Sequence, residues 1–398
     1  MPTYALANER IQQPPGEKEP SKAMMNSFEK VDRAMNSAMP EDRSQIPLMA
    51  QFVTFPAHYA GIKQKDAFYD VDLNIKAYAK VFAELGKPDC SYYCIPGDAA
   101  FGEELECYRP GYELADDDAT YQFHETQRMD IDDYQDILDH GWNQWHTRYL
   151  MSIQHPALER PEQLGAAYAQ MGQRIGVFAG WLASQGVAPI TDIAVMPPFD
   201  SLSLFRSFMP FTMDLYDEPD LVKAVCDKAA DEMIEGTLKN AKANAHVHRI
   251  GLFAMRSDCD TLSPDLFDEF AWPTLSRMIL AFDKAGFKSV IHADSNWLPI
   301  LDRFLKLPAH CVSFELDGKT DIFKAAQILD GWQSFRGDVP ATTLAFGTPD
   351  DVFEYCEKLI TEIGLKTPGF ILGSGCEIPF NAKPENVKAL LTCLGNNA

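Results

Sequence analysis

The stretch KSVIHADSNWLPILDRFLKLPAHCVSFEL, residues 288–316, decides the fold. Lys288–Ala293 and Cys311–Leu316 are short, nearly continuous apolar runs, the pattern of strands buried on both faces, and a segment of helical character lies between them. Ser334–Gly337 and Gly369–Gly373 read as further buried strands, and Leu48–Phe55, Tyr92–Ile95, Ile193–Met196 and His248–Met255 as earlier ones. Helical stretches alternate with them. Leu221–Ala245 carries Leu221, Val225, Ala229, Met233, Ile234 and Leu238 at helical spacing, and Ser263-Pro264-Asp265 opens a helix that Pro273 interrupts and Gly286 ends. Eight βα units predict an α/β fold, a closed (β/α)₈ TIM barrel over residues 45–398, with residues 1–44 as an N-terminal arm and extension.

Composition narrows the functional classes. With 398 residues, 46% hydrophobic and 11% aromatic, the chain can bury a large core, which excludes disorder. Its 35 Lys+Arg against 58 Asp+Glu give a formal charge of -23 with no basic patch, so nucleic acid and anionic membranes are excluded as partners. The first residues, MPTYALANERIQQPPGEKEPSK, hold no apolar run behind a basic start and read as a mobile arm; Ile175–Ile190 is too short and too broken by glycine to span a bilayer. Nine dispersed cysteines form no disulfide framework and suit a reducing cytoplasm.

In such a barrel, polar residues just past the strand ends form the working face. His292 and Asp294 stand at one end, Glu315 at the next and Cys376 at the last. Asp294 follows His292 by two residues, so both side chains point the same way along a strand and can chelate one ion. Imidazole, carboxylate and thiolate suit tetrahedral zinc with one position left for substrate; the other reading is a hydrogen-bonded barrel histidine beside a buried thiol. Arg256, Asp258 and Asp200 follow the fourth and third strands as candidate catalytic groups, holding an anionic substrate or carrying a proton; the alternative is surface ion pairing, Arg256 with Asp258. His58, Tyr92 and Asp98 follow the first two strands as candidates for the mouth and for cofactor binding, with packing and capping as their alternative. His246 and His248 precede a strand, which puts them on the opposite, stabilising face, and Trp142–Tyr149 reads as helix packing.

The segments LSPDLFDEFAWPTLSRMI (262–279), VIHADSNW (290–297), FRGDVPATTLAFGTPDDV (335–352) and ILGSGCEIPFNAKPENVKAL (371–390) resemble, in order, the uroporphyrinogen decarboxylase superfamily. HYAGIKQKDAFYD (58–70) and PDCSYYCIPGDAAFGEEL (88–105) resemble its corrinoid-dependent branch, such as the methylcobalamin:coenzyme M methyltransferases. The resemblance implies a (β/α)₈ barrel and zinc bound by His292 and Cys376, with Glu315 at the position of an intervening glutamate ligand. Asp294 stands where that branch has cysteine, giving a harder donor set that favours an oxygen-bearing substrate such as a methyl ether. Two departures argue against porphyrinogen decarboxylation: no RQAGRY-type motif stands near Gln51–His58, and Gly373-Ser374-Gly375-Cys376 replaces a GHG-type motif.

The expectation is a cytoplasmic zinc methyltransferase acting on a small methylated substrate. No DxHxxG motif is present, so methylcobalamin would come from a partner corrinoid protein. The alternatives are a metal-free decarboxylase and a non-catalytic barrel that binds a corrinoid or tetrapyrrole. The sequence leaves the oligomeric state open, a homo-oligomer included.

Overall fold

The computed structural model of the protein describes residues 22–98, 107–154 and 157–395. In chain order the strands are β1 (Leu48–Gln51), β2 (Cys90–Ser91), β3 (Cys107–Tyr108), β4 (Gln122–Phe123), β5 (Ala188–Pro189), β6 (Ile193–Val195), β7 (Arg249–Ala254), β8 (Lys288–Ala293), β9 (Val312–Leu316), β10 (Ser334–Val339) and β11 (Phe370–Glu377). β3 and β4 form a small antiparallel pair. The other nine make one parallel sheet in the order β5-β2-β1-β11-β10-β9-β8-β7-β6. Parallel neighbours need crossover connections, supplied by helices such as Pro219–Ala243, Trp272–Lys284 and Pro349–Leu359.

The sheet curls until its two edges are neighbours in the chain, with only Ile190, Thr191 and Asp192 between β5 and β6. Each of the eight expected strands has a counterpart, the second shifted to Cys90–Ser91. The ninth arises because Ala188–Val195 is an interrupted strand whose first part pairs with β2 and whose second part pairs with β7. Pro189 has no N–H for a ladder at that point. Among the described residues no β5–β6 pairing closes the ladder, so the architecture is a curled, barrel-like half-barrel where the sequence reading has a closed one.

Alternation along each strand sorts side chains to two sides. Ile250, Leu252, Ile291, Phe314, Phe335 and Leu372 are buried in the main core between sheet and helices, each worth about 1.5–3 kcal/mol in transfer from water. Met49, Cys90, Ile190, Val290 and Ile371 form a separate interior cluster with Val31, Ala34 and Met35 of the helix Lys22–Met35. That helix lies across the N-terminal ends of the strands. Lys30 pairs with Asp89 at 3.0 Å, the Arg249 guanidinium sits 4.7 Å from the Phe28 ring centre, and Lys288 Nζ approaches the Met35 carbonyl at 3.5 Å. Of the residues assigned to an arm and extension, 1–21 lie outside the described residues, and this helix is a stopper for the floor.

Local signals behave as their chemistry requires. Ser263 Oγ accepts the Leu266 N–H at 3.2 Å, ahead of Pro264. Pro273 cannot donate an i→i−4 bond, and a π-helical turn at Phe267–Ala271 precedes the regular helix. His248 lies on the floor with its ring 5.5 Å from Phe28, and His146 stacks on Trp142 at 5.2 Å within a helix. No helix among the described residues is long and apolar enough to cross a membrane. Because Met35 is fully buried in the floor, Met35→Ala is expected to cost about 2–5 kcal/mol, read as a lower denaturant midpoint with unchanged slope.

Candidate metal centre

One row of strand registers builds the upper interior. Phe253 on β7 pairs in register with His292 on β8, His292 with Glu315 on β9, and Glu315 with Arg336 on β10. Four consecutive strands thus place an aromatic ring, an imidazole, a carboxylate and a guanidinium side by side. Phe253 and His292 have ring centres 5.5 Å apart. Tyr92, just past β2, reaches across and donates its hydroxyl to Glu315 Oε2.

His292 Nδ1 lies 3.0 Å from Glu315 Oε2, which accepts its proton. The opposite nitrogen, Nε2, lies 3.5 Å from Asp294 Oδ1 and 3.9 Å from Cys376 Sγ. Donor atoms of His292, Asp294 and Cys376 all fall within 4.8 Å of one another. Zinc bonds of about 2.0–2.3 Å at tetrahedral angles put ligand atoms roughly 3.3–3.8 Å apart, so small side-chain movements bring these three into range. The residues fit a zinc ion with one position free. Glu315 stands outside this trio, behind the imidazole.

The loops carrying these donors are braced. Ser295, at φ 65°, donates its N–H to Asp317 Oδ2 at 2.8 Å, and Trp297 Nε1 donates to the Asp294 carbonyl at 2.8 Å. Gly375 permits the closest approach: a Cβ there would lie 2.6 Å from the Asp317 carbonyl oxygen. Along β11 the register with β1 slips between Met49 and Gln51, where Met49 faces Gly373 and Gln51 faces Glu377. Such an irregularity re-aims side chains, and Cys376 is turned toward His292.

Burial works against a charged imidazole here, but Asp294, Cys376 and Glu315 outweigh it and hold His292 well above 6.5. Burial also raises the Glu315 carboxyl, yet the Arg336 charge, with hydrogen bonds from His292 and Tyr92, brings it below the usual range. Asp294 is raised by burial and by repulsion from Asp317 and Glu315, against the attraction of His292. Burial, then the adjacent Glu315, drives the Tyr92 hydroxyl well above 10.

The remaining candidates sit apart from the trio. Asp200 is fully buried and accepts the Arg256 and Ser257 N–H groups at 2.8 and 3.1 Å and Ser257 Oγ at 3.0 Å, tying the segment after β6 to the loop after β7. Asp258 accepts the Asp260 and Thr261 N–H groups at 2.7 and 3.1 Å, a turn-stabilising role. Arg256 pairs with Glu125 at 3.2 Å and donates to the Ser203 carbonyl at 3.0 Å. Its partner is Glu125, where the sequence reading offers Asp258. Asp98 is buried and clasped by Arg174; His58 is exposed against Phe380 at 4.1 Å between ring centres. Sequence reasoning passes over Arg336. Its only sequence signal is an arginine inside the otherwise strand-like SFRG.

A family model described as uroporphyrinogen decarboxylase (URO-D) matches residues 193–396, slightly over half of the chain and the part holding His292, Asp294, Glu315 and Cys376. No curated protein matches the sequence. Among solved structures, the chain is similar to a methyltransferase from Methanosarcina mazei at a TM-score of 0.58 and 16% identity, over 92% of this chain and 97% of that one. At that identity the likeness establishes a shared fold.

Asp200 generates a pH prediction. Burial pushes its carboxyl up to about 7, against the donors of Arg256 and Ser257. The unfolded chain releases that proton near pH 4 and the folded chain retains it longer. The stability Asp200 contributes is therefore complete below about pH 4 and lost as pH rises to about 7. Comparing thermal midpoints of wild type and Asp200→Asn across this window should show the wild type losing ground to the variant as pH rises; parallel curves would contradict the assignment.

Proposed function

The chain belongs to the uroporphyrinogen decarboxylase family, and we propose that within it this protein is a zinc-dependent methyltransferase, moving a methyl group between a small methylated substrate and the cobalt of a separate corrinoid protein. The observation that carries the reading is the convergence of His292 Nε2, Asp294 Oδ1 and Cys376 Sγ. These are donors zinc accepts, with a fourth direction open. The structural likeness to a methyltransferase supports it.

Bound zinc would supply Lewis acidity to an oxygen or sulfur atom of the substrate. His292, Asp294 and Cys376 would hold the ion, while Glu315 keeps the imidazole proton on Nδ1 and directs Nε2 outward. Asp294 makes the set harder than one with a second thiolate, which favours an oxygen-bearing substrate such as a methyl ether. Phe253 packs against the imidazole and Tyr92 stacks on Phe253, adding apolar surface beside the ring. Asp200 and Asp258 shape the loops after β6 and β7, and Arg256 anchors one side of that rim. On this reading an incoming corrinoid protein would meet His58, which is exposed after β1.

Metal analysis of purified protein tests the reading. Wild type should carry about one zinc per chain, and His292→Ala and Cys376→Ala should lose it together with methyl transfer from a methylated substrate to a reduced corrinoid protein. Wild type that carries no metal and transfers no methyl group would favour a decarboxylase that needs no cofactor; metal-free wild type with full methyl transfer would exclude zinc from the reaction. A second comparison addresses substrate class: Asp294→Cys should bind zinc more tightly and shift preference from ether to thiol substrates, measured as a ratio of kcat/KM values.

A further inference from the structure

Arg336 is a fully buried charged group at the metal centre that the reading above leaves without a task. Its side chain is fully buried, and Glu315 beside it is 1% exposed. A guanidinium in such surroundings is costly unless it is paired and hydrogen-bonded. Its contacts reach two separate parts of the metal centre. Nε lies 3.2 Å from Glu315 Oε1, the carboxylate whose other oxygen holds His292 Nδ1. Nη1 donates to the carbonyl of Ser374, two residues before Cys376 on β11.

We propose that Arg336 is a positioning residue: one rigid guanidinium that spaces the His292 side of the donor set from the Cys376 side. The inference rests on the zinc reading above. The planar fork of arginine can reach two acceptors at a fixed angle, which a lysine ammonium on a flexible stem cannot reproduce. Gly373 makes room for the stem, because a Cβ there would lie 3.3 Å from Arg336 Cγ. The fork is not spent on hydrogen bonds for stability alone. Among the described residues Arg336 Nε and Nη2 and Glu315 Oε1 have no aligned hydrogen-bond partner, so the Glu315 approach is one of charge and spacing.

The test uses metal-free full-length protein titrated with zinc against a chromophoric chelator, and with cobalt(II) to read coordination geometry from its visible bands. Wild type, Arg336→Lys, Glu315→Gln and the double variant Arg336→Met/Glu315→Gln are compared, with thermal melts as the check on folding. Arg336→Lys should bind zinc about 10–100-fold more weakly and alter the cobalt bands, the size of effect that groups supporting a ligand produce. A guanidinium serving stability alone would lower the melting temperature and leave zinc affinity and cobalt bands at their wild-type values, which overturns the proposal. Should Arg336→Lys fail to fold, the double variant leaves no buried charge unpaired between these two positions and keeps an amide acceptor for His292. Weaker zinc binding than in Glu315→Gln supports the proposal; equal binding overturns it. Wild type that binds no zinc removes the preceding reading itself, a result distinct from either variant outcome.

Discussion

An imidazole held at one nitrogen presents the other, and Glu315 makes that choice for His292. The rest of the centre follows from it. With Nδ1 committed to the carboxylate, Nε2 faces Asp294 and Cys376, and the three donors converge. The arrangement depends on strand parity: only alternate residues of β8, β9 and β10 enter the interior, and the register of those strands makes His292, Glu315 and Arg336 immediate neighbours. A slip of one residue in any of these strands would send its member of the row into the helix-facing core.

Charge is placed with similar economy. The interior holds a buried carboxylate beside a buried guanidinium and an imidazole. Such an ion pair contributes little net stability, since the desolvation of both groups offsets most of their attraction. Its value lies in being fixed in advance. Arg336 approaches Glu315 Oε1 while the Tyr92 hydroxyl donates to Oε2, the oxygen that also holds His292 Nδ1, so the acceptor needs no reorganisation when the ring changes partner at Nε2.

Much of this was legible in the sequence because its signals are local. Runs such as KSVIHA and CVSFEL announce buried strands, and the two-residue spacing of His292 and Asp294 predicts their shared direction. What was not legible depends on contacts between distant segments. Ala188–Pro189 is too short and too proline-bound to read as a strand, and it gains its identity only by pairing with β2. The inward turn of Cys376 comes from an irregular register in β11, which no periodicity reveals. Glu315 at a strand end reads as a metal ligand, and only the structure shows that it touches the imidazole at Nδ1, the side away from the donor trio. Arg336, an arginine in a strand, would ordinarily be placed in solvent; the carboxylate that makes its burial tolerable lies one strand away across the sheet.

The helix Lys22–Met35 fills the pole of the sheet opposite the donor trio, with Met35, Val31 and Ala34 sealed among interior residues. A handle fused directly to this helix in place of residues 1–21 would therefore join the chain at the sealed pole. Tethering the protein to a sensor chip or bead by such a handle would leave the open pole facing the bath, free for whatever is flowed across it.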